Sequence, residues 1–191
     1  VYTVYHGANH LSDSAIKITE NKLGKKPYIL YLGTIEHRKN VACLIQAYLH
    51  SNIQKDADLI LAGGAHGYGG KEILQSFSSE IQQGKIKYLG YVSTIEKKRL
   101  LQNADFVVYP SLYEGFGFPI LEAMIVGTPV LTSDFGAMKE IGGTAAYLSE
   151  TRHMEAFSKD LETLFYDQNL KSTLVQSGKI HAARFTWKQC A

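Results

Sequence analysis

Short apolar runs, rich in aromatic and β-branched residues, alternate along the chain with longer segments in which apolar residues recur at helical spacing. The runs predicted as strands are 28–33, 59–62, 86–89, 106–109, 130–132 and 145–148. Each run is almost continuously apolar, which is typical of strands buried on both faces of a sheet. The alternation therefore predicts an α/β fold, with a doubly wound parallel sheet of six strands and helices on both faces.

Capping and turn residues define the limits of the predicted helices. Asn40 is expected to cap the helix that follows it, and Ser93 with Glu96 has the spacing of a capping box. Pro119 suits the first turn of a helix that Gly127 closes. Apolar spacing predicts helices over 40–51, over 151–167, which we expect to be the longest, and over 170–185.

The chain has 191 residues, of which 45% are hydrophobic and 20% charged, as in an ordinary folded domain. Twenty Lys and Arg against eighteen Asp and Glu leave a net charge of only +2. This balance disfavours binding to nucleic acid through bulk electrostatics. No apolar run approaches the roughly 20 residues of a membrane-spanning helix. We therefore expect no nucleic-acid partner and no transmembrane segment.

Cysteine and histidine usage bears on metal binding and on location. Cys43 and Cys190 lie far apart, and Cys43 falls in an apolar periodic stretch that predicts a buried free thiol. This usage predicts a reducing compartment, and the lack of an N-x-[ST] sequon agrees with a cytoplasmic location. The seven histidines have no spacing that would converge on zinc, so no metal site is expected.

Both ends of the chain carry apolar segments that lack an evident partner. Residues 1–6 form a strand-like run with no unit before it. Residues 185–187 open a new hydrophobic cluster a few positions before the last residue. The pattern predicts that residues 1–191 form one domain of a two-domain protein.

The loop after the first predicted strand places two adjacent cations just before a helix. Arg38 offers a planar fork of donors and Lys39 a compact charge, and both suit phosphate oxygens. The helix N-terminus adds attraction for an anion. A solvated basic turn is the alternative that this loop alone leaves open.

The loop after the fourth predicted strand combines glycines with two carboxylates. Gly115 and Gly117 allow a ligand to approach the backbone, and the amides of Gly117 and Phe118 would face an anion. Glu122 can accept hydrogen bonds from vicinal hydroxyls such as those of ribose, and Glu114 lies on the other side of the loop. The alternatives are a first-turn acid that compensates the helix dipole for Glu122 and an exposed loop acid for Glu114.

These residues resemble a known family. The segment Glu114-Gly-Phe-Gly-Phe-Pro-Ile-Leu-Glu122, followed by Ala-Met and by Gly127-Thr-Pro-Val, resembles the E-x7-E signature of the retaining group 1 glycosyltransferases (glycosyltransferase family 4). Four further segments resemble the family's first-strand loop, third-strand loop, interdomain junction and closing element. They are 33–40, 90–92, 4–7 and 185–187, and the resemblance covers residues 4–150 in order.

The resemblance implies a GT-B enzyme, in which two Rossmann-like domains face each other across a cleft and the C-terminal one holds the nucleotide-sugar donor. This chain is similar to that C-terminal domain alone, so the N-terminal acceptor domain is expected to be absent from it. The implied reaction is transfer of a hexose to a glycan or lipid-linked acceptor, without a required cofactor or metal. The chain alone is expected to bind nucleotide but to be inactive. Family members often work at the inner face of a membrane, through a surface expected on the other domain.

The resemblance also implies a role for each residue of the site. Glu122 would bind the ribose hydroxyls and Glu114 those of the transferred sugar, while Arg38 and Lys39 would neutralise the diphosphate beside the amides of the glycine loop. The base would lie near the turn over 90–92. The remaining residues expected to bind the donor are Gly33, Thr34, Gly63, Tyr91, Val92, Gly115, Phe116, Gly117 and Phe118.

One position departs from the family pattern and one segment favours a donor. Thr34 stands where many members carry an arginine, so the phosphate charge would fall on Arg38 and Lys39. The Arg38-Lys39-Asn40 segment resembles members that use GDP-mannose, which favours that donor while a UDP-sugar stays open.

Several alternatives compete with this interpretation. The glycine-rich segment 63–72 suggests a P-loop but lacks the required spacing, so a loop lining the nucleotide cleft is favoured over a plain flexible loop. Residues 134–136 spell the Asp-Phe-Gly motif of kinases without the accompanying catalytic loop. Tyr68, Tyr91 and Tyr113 could stack on a base or serve packing. A GT-B epimerase or phosphorylase and a non-catalytic nucleotide-binding regulatory module are the rival functions.

Overall fold

A parallel sheet of six strands forms the centre of the computed structural model, which describes residues 26–190. The strands are β1 (Tyr28–Leu32), β2 (Asp58–Ala62), β3 (Ile86–Gly90), β4 (Phe106–Tyr109), β5 (Val130–Ser133) and β6 (Tyr147–Ser149). Their order is β3-β2-β1-β4-β5-β6. The predicted fold is confirmed, and each predicted strand is present with limits shifted by at most two residues. The strand-like run over 1–6 and the motif over 4–7 lie outside the described residues.

Helices follow or connect these strands. They are α1 (Val41–His50), α2 (Gly70–Ser76), α3 (Ser78–Gln82), α4 (Thr94–Asn103), α5 (Phe118–Val126), α6 (Gly136–Gly142), α7 (Met154–Tyr166), α8 (Gln168–Ala182) and α9 (Trp187–Cys190). Short 3-10 turns cover His37–Lys39, Asn52–Lys55 and Gly143–Ala145.

Each face of the sheet carries its own hydrophobic core, because successive side chains of a strand point to opposite faces. Tyr28, Leu30 and Leu32 of β1 pack with α4, α5 and α6 on one face. Ile29 and Tyr31 pack with α1 and α7 on the other. The doubly wound arrangement with helices on both faces is therefore confirmed.

The direction in which the chain crosses the sheet reverses between β3 and β4. The strands β1, β2 and β3 run outward to one edge, and the chain then returns to place β4 on the other side of β1. In open α/β sheets, ligands bind in the crevice outside the carboxyl ends of the strands at such a switch point. The fold thus points to the loops that follow β1 and β4.

Two of the predicted helix limits are confirmed in detail. Ser93 and Glu96 form a reciprocal capping box at the start of α4, with the Ser93 amide donating to Glu96 Oε2 at 2.9 Å. Pro119 lies in the first turn of α5, and Gly127 caps its end with a left-handed φ of 83°. The capping box and Pro119 lie at the ends of the two helices that line the site, whereas Gly127 closes α5 at its other end.

Other helix predictions are wrong or incomplete. Asn40 has a left-handed φ of 58° and makes no side-chain cap; its Nδ2 instead donates to the Thr151 carbonyl at 2.8 Å. Helix α8 has 15 residues and α7 has 13, so α7 is not the longest. Helices α2, α3 and α6 were not predicted. The glycines of α2 and α6 lower helix propensity by about 1 kcal/mol each, whereas burial of Ile73 and Met138 favours these helices in the folded chain.

The cysteine and carboxyl-terminal predictions are only partly met. Cys43 is a free thiol but is half-buried, with its Sγ 3.3 Å from the Thr151 carbonyl. Of the expected cluster over 185–187, Phe185 is buried and its ring centroid lies 6.3 Å from that of Phe116, whereas Trp187 is half exposed. Phe185 therefore supports the loop after β4.

Candidate functional site

A cleft of about 640 Å³ opens at the carboxyl edge of the sheet, at the switch point between β1 and β4. Its volume lies within the range of small-molecule sites. Nine of the residues predicted to bind the donor line it together: Gly33, Thr34, Lys39, Glu114, Gly115, Phe116, Gly117, Phe118 and Glu122. The structure thus gathers both carboxylates, one of the two cations and the glycine loop in one space.

Glu114 lies in the loop after β4 and is surrounded by donors. Lys39 Nζ donates to Glu114 Oε1, and Arg38 Nη1 donates to Oε2 at 2.9 Å. The hydroxyl of Tyr109 donates to Oε1 at 2.9 Å and accepts from Lys39 at 2.7 Å. Burial alone would raise the pKa of Glu114, but the hydrogen bonds and charge of Lys39, with Arg38 and Tyr109, outweigh it and lower that pKa. Glu114 is therefore an ionised acceptor.

The two cations differ in their surroundings. Lys39 is buried in the 3-10 turn before α1, although lysine is seldom buried without a partner. Arg38 does not line the cleft; it lies beside Glu114, keeps 46% of its side chain exposed and also pairs with Glu36 at 2.8 Å. Lys39 is thus directed into the cleft, whereas Arg38 reaches it from the rim.

Glu122 lies on the opposite side of the glycine loop, in the otherwise apolar helix α5. Its side chain is 7% exposed, and Lys97 Nζ of α4 donates to its Oε1 at 2.6 Å. Glu122 is the fifth residue of α5 and lies beyond the first turn. The alternative of a first-turn acid that compensates the helix dipole is therefore wrong. A buried carboxylate requires such a charged partner.

The backbone at the start of α5 suits close approach by a ligand. Gly117 precedes the helix with a φ of 119°, a conformation that residues with a side chain rarely adopt. Phe118 begins α5, and both residues line the cleft. The helix N-terminus therefore faces the space between Glu114 and Glu122, where its dipole would attract an anion.

A second cavity of about 300 Å³ continues the first toward β2 and β3. It is lined by predicted residues Gly63, Tyr91 and Val92, and it shares four residues with the larger cleft: Leu32, Gly33, Thr34 and Lys97. At Gly63, φ is 147° and a Cβ would lie 1.9 Å from the Gly33 carbonyl oxygen. A glycine is therefore required there for the loops after β1 and β2 to pack together.

The residues predicted to bind the donor do not include several that line the two cavities, among them Lys97, His66 and Tyr109. Lys97 lines both cavities, Tyr109 lines the first, and His66, from the 63–72 loop expected to line the cleft, lines the second. Lys97 could have been found, because α4 follows the third-strand loop and its first turn must begin at the carboxyl edge. Tyr109 is the last residue of β4, and the apolar pattern of that strand concealed its polar role.

Some candidates lie outside both cavities. Tyr68 and Tyr113 are exposed and line neither one, while Tyr91 lines the second with 86% of its surface exposed. The glycine-rich segment after β2 contributes Gly63, Gly64 and His66 to the second cavity, so that it lines the cleft rather than forming a P-loop. Residues 134–136 line neither cavity and lead into α6, which excludes a kinase-like role in this site.

The part of the chain that the structure describes, residues 26–190, bears on metal binding and on membrane insertion. In that part of the chain, no group of three or more His, Cys, Asp or Glu side chains is placed to hold a metal ion. None of the described helices combines the length and the apolar character needed to cross a membrane.

The six-stranded parallel sheet with helices on both faces is the fold of the GT-B structures that neighbour this chain. The chain belongs to the family of glycosyl transferases group 1, whose sequence profile matches residues 13–181. Over 171 residues it is 35% identical to the O-antigen chain mannosyltransferase B of Escherichia coli, covering 88% of this chain and 45% of that protein. The chain thus spans less than half the length of that relative.

Two solved structures illustrate the fold. The C-terminal domain of the group 1 glycosyl transferase LpcC from Francisella tularensis has a TM-score of 0.70 and 25% identity, with 85% of this chain and 87% of that one covered. Anabaena Alr3699/HepE in complex with UDP and glucose has a TM-score of 0.72 and 21% identity, covering 84% of this chain and 44% of that one.

Proposed function

We propose that the chain is the donor-binding domain of a retaining glycosyltransferase of family 4. In the whole protein it would transfer a hexose from a nucleoside diphosphate sugar to a glycan or lipid-linked acceptor. One observation carries the proposal: Glu114 and Glu122 flank the start of α5 in a single cleft, and each is paired with a lysine that also lines it. Such a cleft offers hydroxyl acceptors on both sides of an anion site.

Each part of the donor would meet a different part of the cleft. Glu122 would accept from the ribose hydroxyls, and Glu114 from the hydroxyls of the transferred sugar. Lys39 and Arg38, with the N-terminus of α5, would stabilise the charge that develops on the leaving diphosphate. These groups could perform that role without a metal ion.

The second cavity would receive the base. Tyr91 and Val92 follow β3 directly, and Gly63 lines the same cavity. Because Gly33 and Thr34 line both cavities, one nucleotide would be able to extend from this cavity to the diphosphate site.

The favoured donor is GDP-mannose. The support is the mannosyltransferase name of a relative at 35% identity, together with the Arg38-Lys39-Asn40 segment. A UDP-sugar is the second candidate, since a structural neighbour was solved with UDP and glucose. A non-catalytic regulatory module is disfavoured, because Arg38, Lys39, Glu114 and Glu122 are all retained.

The setting of the reaction is part of the proposal. We infer that the whole protein acts in the cytoplasm at a membrane, with its acceptor site on an N-terminal domain. Residues 1–191 alone would bind donor but turn over little or none, because catalysis in a two-domain cleft depends on positioning the acceptor and closing the cleft.

Thermal unfolding of this chain with GDP, UDP and ADP tests the proposal. A ligand at 100 times its dissociation constant stabilises the fold by about 2.7 kcal/mol. For a domain of this size, that corresponds to a rise of roughly 5–10 °C in Tm. Inorganic pyrophosphate is the control for binding by phosphate charge alone. A Tm that none of the nucleotides changes would contradict the proposal.

A further inference from the structure

Lys97 lies where the two cavities meet. It lines both of them, together with Leu32, Gly33 and Thr34. Among residues 26–190 it is the only Lys or Arg that lines both. In a nucleoside diphosphate, the ribose joins the base to the diphosphate. A nucleotide that spans the two cavities must therefore pass its ribose along the wall that contains Lys97.

The partner of Lys97 is the carboxylate proposed to bind that ribose. Lys97 Nζ lies 2.6 Å from Glu122 Oε1, and only 7% of the Glu122 side chain is exposed. A charged hydrogen bond in so buried a place is short and directional. It restricts rotation about the terminal bond of that carboxylate. Lys97 thus limits the directions from which a hydroxyl can donate to Glu122.

The position of Lys97 in its helix is unfavourable for the helix itself. It follows the N-cap Ser93 by four residues, and its amide makes the first intrahelical bond, to the Ser93 carbonyl at 2.8 Å. A cation close to a helix N-terminus is repelled by the helix dipole. The capping box of Ser93 and Glu96 fixes the turn and therefore the direction of the lysine. Helix stability does not explain this residue, whereas the pair with Glu122 does.

We propose that Lys97 is a positioning residue that makes the cleft select ribonucleotides over 2′-deoxyribonucleotides. By holding one oxygen of Glu122, it orients the carboxylate toward the ribose hydroxyls. The inference rests on the proposed function, because it takes the ligand to be a nucleoside diphosphate. Loss of Lys97 removes the charged donor that directs Glu122 Oε1, and this weakens acceptance from the 2′-hydroxyl while leaving the phosphate contacts in place.

Calorimetric titration of GDP, UDP and their 2′-deoxy forms into the wild type, Lys97→Met and Lys97→Arg tests this role. A hydrogen bond to a charged group is worth enough that we expect the wild type to prefer the ribonucleotide by about tenfold or more. Lys97→Met should reduce that preference below about threefold and change the affinity for the deoxy form by less than about threefold. Lys97→Arg should restore much of the preference.

The matched control is Lys85→Met, which removes the same charge from an exposed position just before β3, at the far end of that strand from the cleft. It should bind like the wild type. If Lys97→Met does not fold, Lys97→Gln carries the same comparison.

Two results would overturn the inference. A Lys97→Met protein that keeps both the wild-type preference and the wild-type affinities shows that Lys97 does not position Glu122. Equal losses for both nucleotides, with the preference kept, show a direct phosphate contact instead. A wild type that binds no nucleoside diphosphate contradicts the proposed function as well, and so is distinguished from a failure of the Lys97 role alone.

Discussion

The two carboxylates of the cleft are held in place in different ways. Glu114 lies in a loop and is held by three side chains, those of Lys39, Arg38 and Tyr109. Glu122 lies in a helix and is paired with Lys97. Their side chains are almost equally buried, at 11% and 7% exposure. Burial is therefore not what distinguishes them; the element that carries each carboxylate, a loop or a helix, is.

This difference assigns different tasks to the two sides. A rigid helix fixes Glu122 at one point along the cleft, which suits recognition of a part common to every donor, the ribose. A loop with several donors holds Glu114 as part of a network that includes the proposed diphosphate ligands. Changes at Glu122 should therefore affect the affinity for the nucleotide itself, whereas changes at Glu114 should affect binding of the sugar attached to it.

The largest expected effect comes from comparing Glu122→Ala with Glu114→Ala. We expect Glu122→Ala to weaken GDP binding by more than about tenfold, because hydrogen bonds to a charged group contribute about 1.5–3 kcal/mol. Glu114→Ala should leave GDP affinity within about threefold of the wild type and weaken only GDP-mannose. Isothermal titration with both ligands measures the contrast.

Equal losses of GDP affinity in the two variants would contradict this division of roles. The conservative Glu122→Gln and Glu114→Gln variants serve as controls, since each preserves the shape of the side chain while removing its charge.

Lys39→Ala should have the next largest effect, a loss of affinity that depends on the diphosphate of the ligand. Lys39 lines the cleft between Glu114 and the start of α5, where the proposed diphosphate would lie. Removing a charged phosphate contact should lower GDP affinity by roughly tenfold and guanosine affinity by less than about twofold. Competition binding with GDP, GMP and guanosine measures the difference. Parallel losses for guanosine and GDP would refute a phosphate role for Lys39.

The smallest expected effect is on stability at acid pH. The pKa of Glu114 lies below its ordinary value of 4.5, because Lys39, Arg38 and Tyr109 outweigh the opposing effect of burial. Its pairing therefore stabilises the fold fully above that ordinary value, and the contribution is lost as the pH falls through the lower folded-state pKa. In urea unfolding, the free energy of unfolding should fall more steeply with decreasing pH in the wild type than in Glu114→Gln.

Glu72→Gln is the matched control for that comparison, since Glu72 is exposed in α2. Its acid loss should follow the wild type. If Glu114→Gln also follows the wild type, the network around Glu114 does not contribute to stability as the structure indicates.

The sheet could be predicted from the sequence because buried parallel strands leave a local signal. Each run between 28 and 148 is apolar enough to be recognised by itself, and the switch point follows once helices cover both faces. Helices α2 and α6 could not be predicted, because glycines obscure their periodicity and tertiary packing decides their formation. Helix α3 has only five residues, none of them buried, so it leaves no apolar period to recognise. Asn40 shows the same limit: its preference for caps was outweighed by a bond to Thr151, 111 residues away.

The site likewise contains residues that could be predicted from the sequence and residues that could not. Glu114, Glu122 and the glycine loop lie close together in sequence, so their shared cleft could be predicted from one motif. Lys97 could not be paired with Glu122, because they meet only when α4 packs against α5. The polar role of Tyr109 could not be predicted, because the apolar pattern of its strand indicated only burial. The parts of the site that the motif does not predict depend on contacts between residues that are distant in sequence.

The central claim is that one nucleotide spans both cavities with its ribose at Glu122. A crystal structure of this chain with GDP tests it most directly. The account predicts ribose hydroxyls within hydrogen-bond distance of Glu122, the diphosphate at the start of α5 beside Lys39, and the base between Gly63 and Tyr91. GDP bound outside the cleft, or with its base at α5 and its diphosphate near Tyr91, would contradict it.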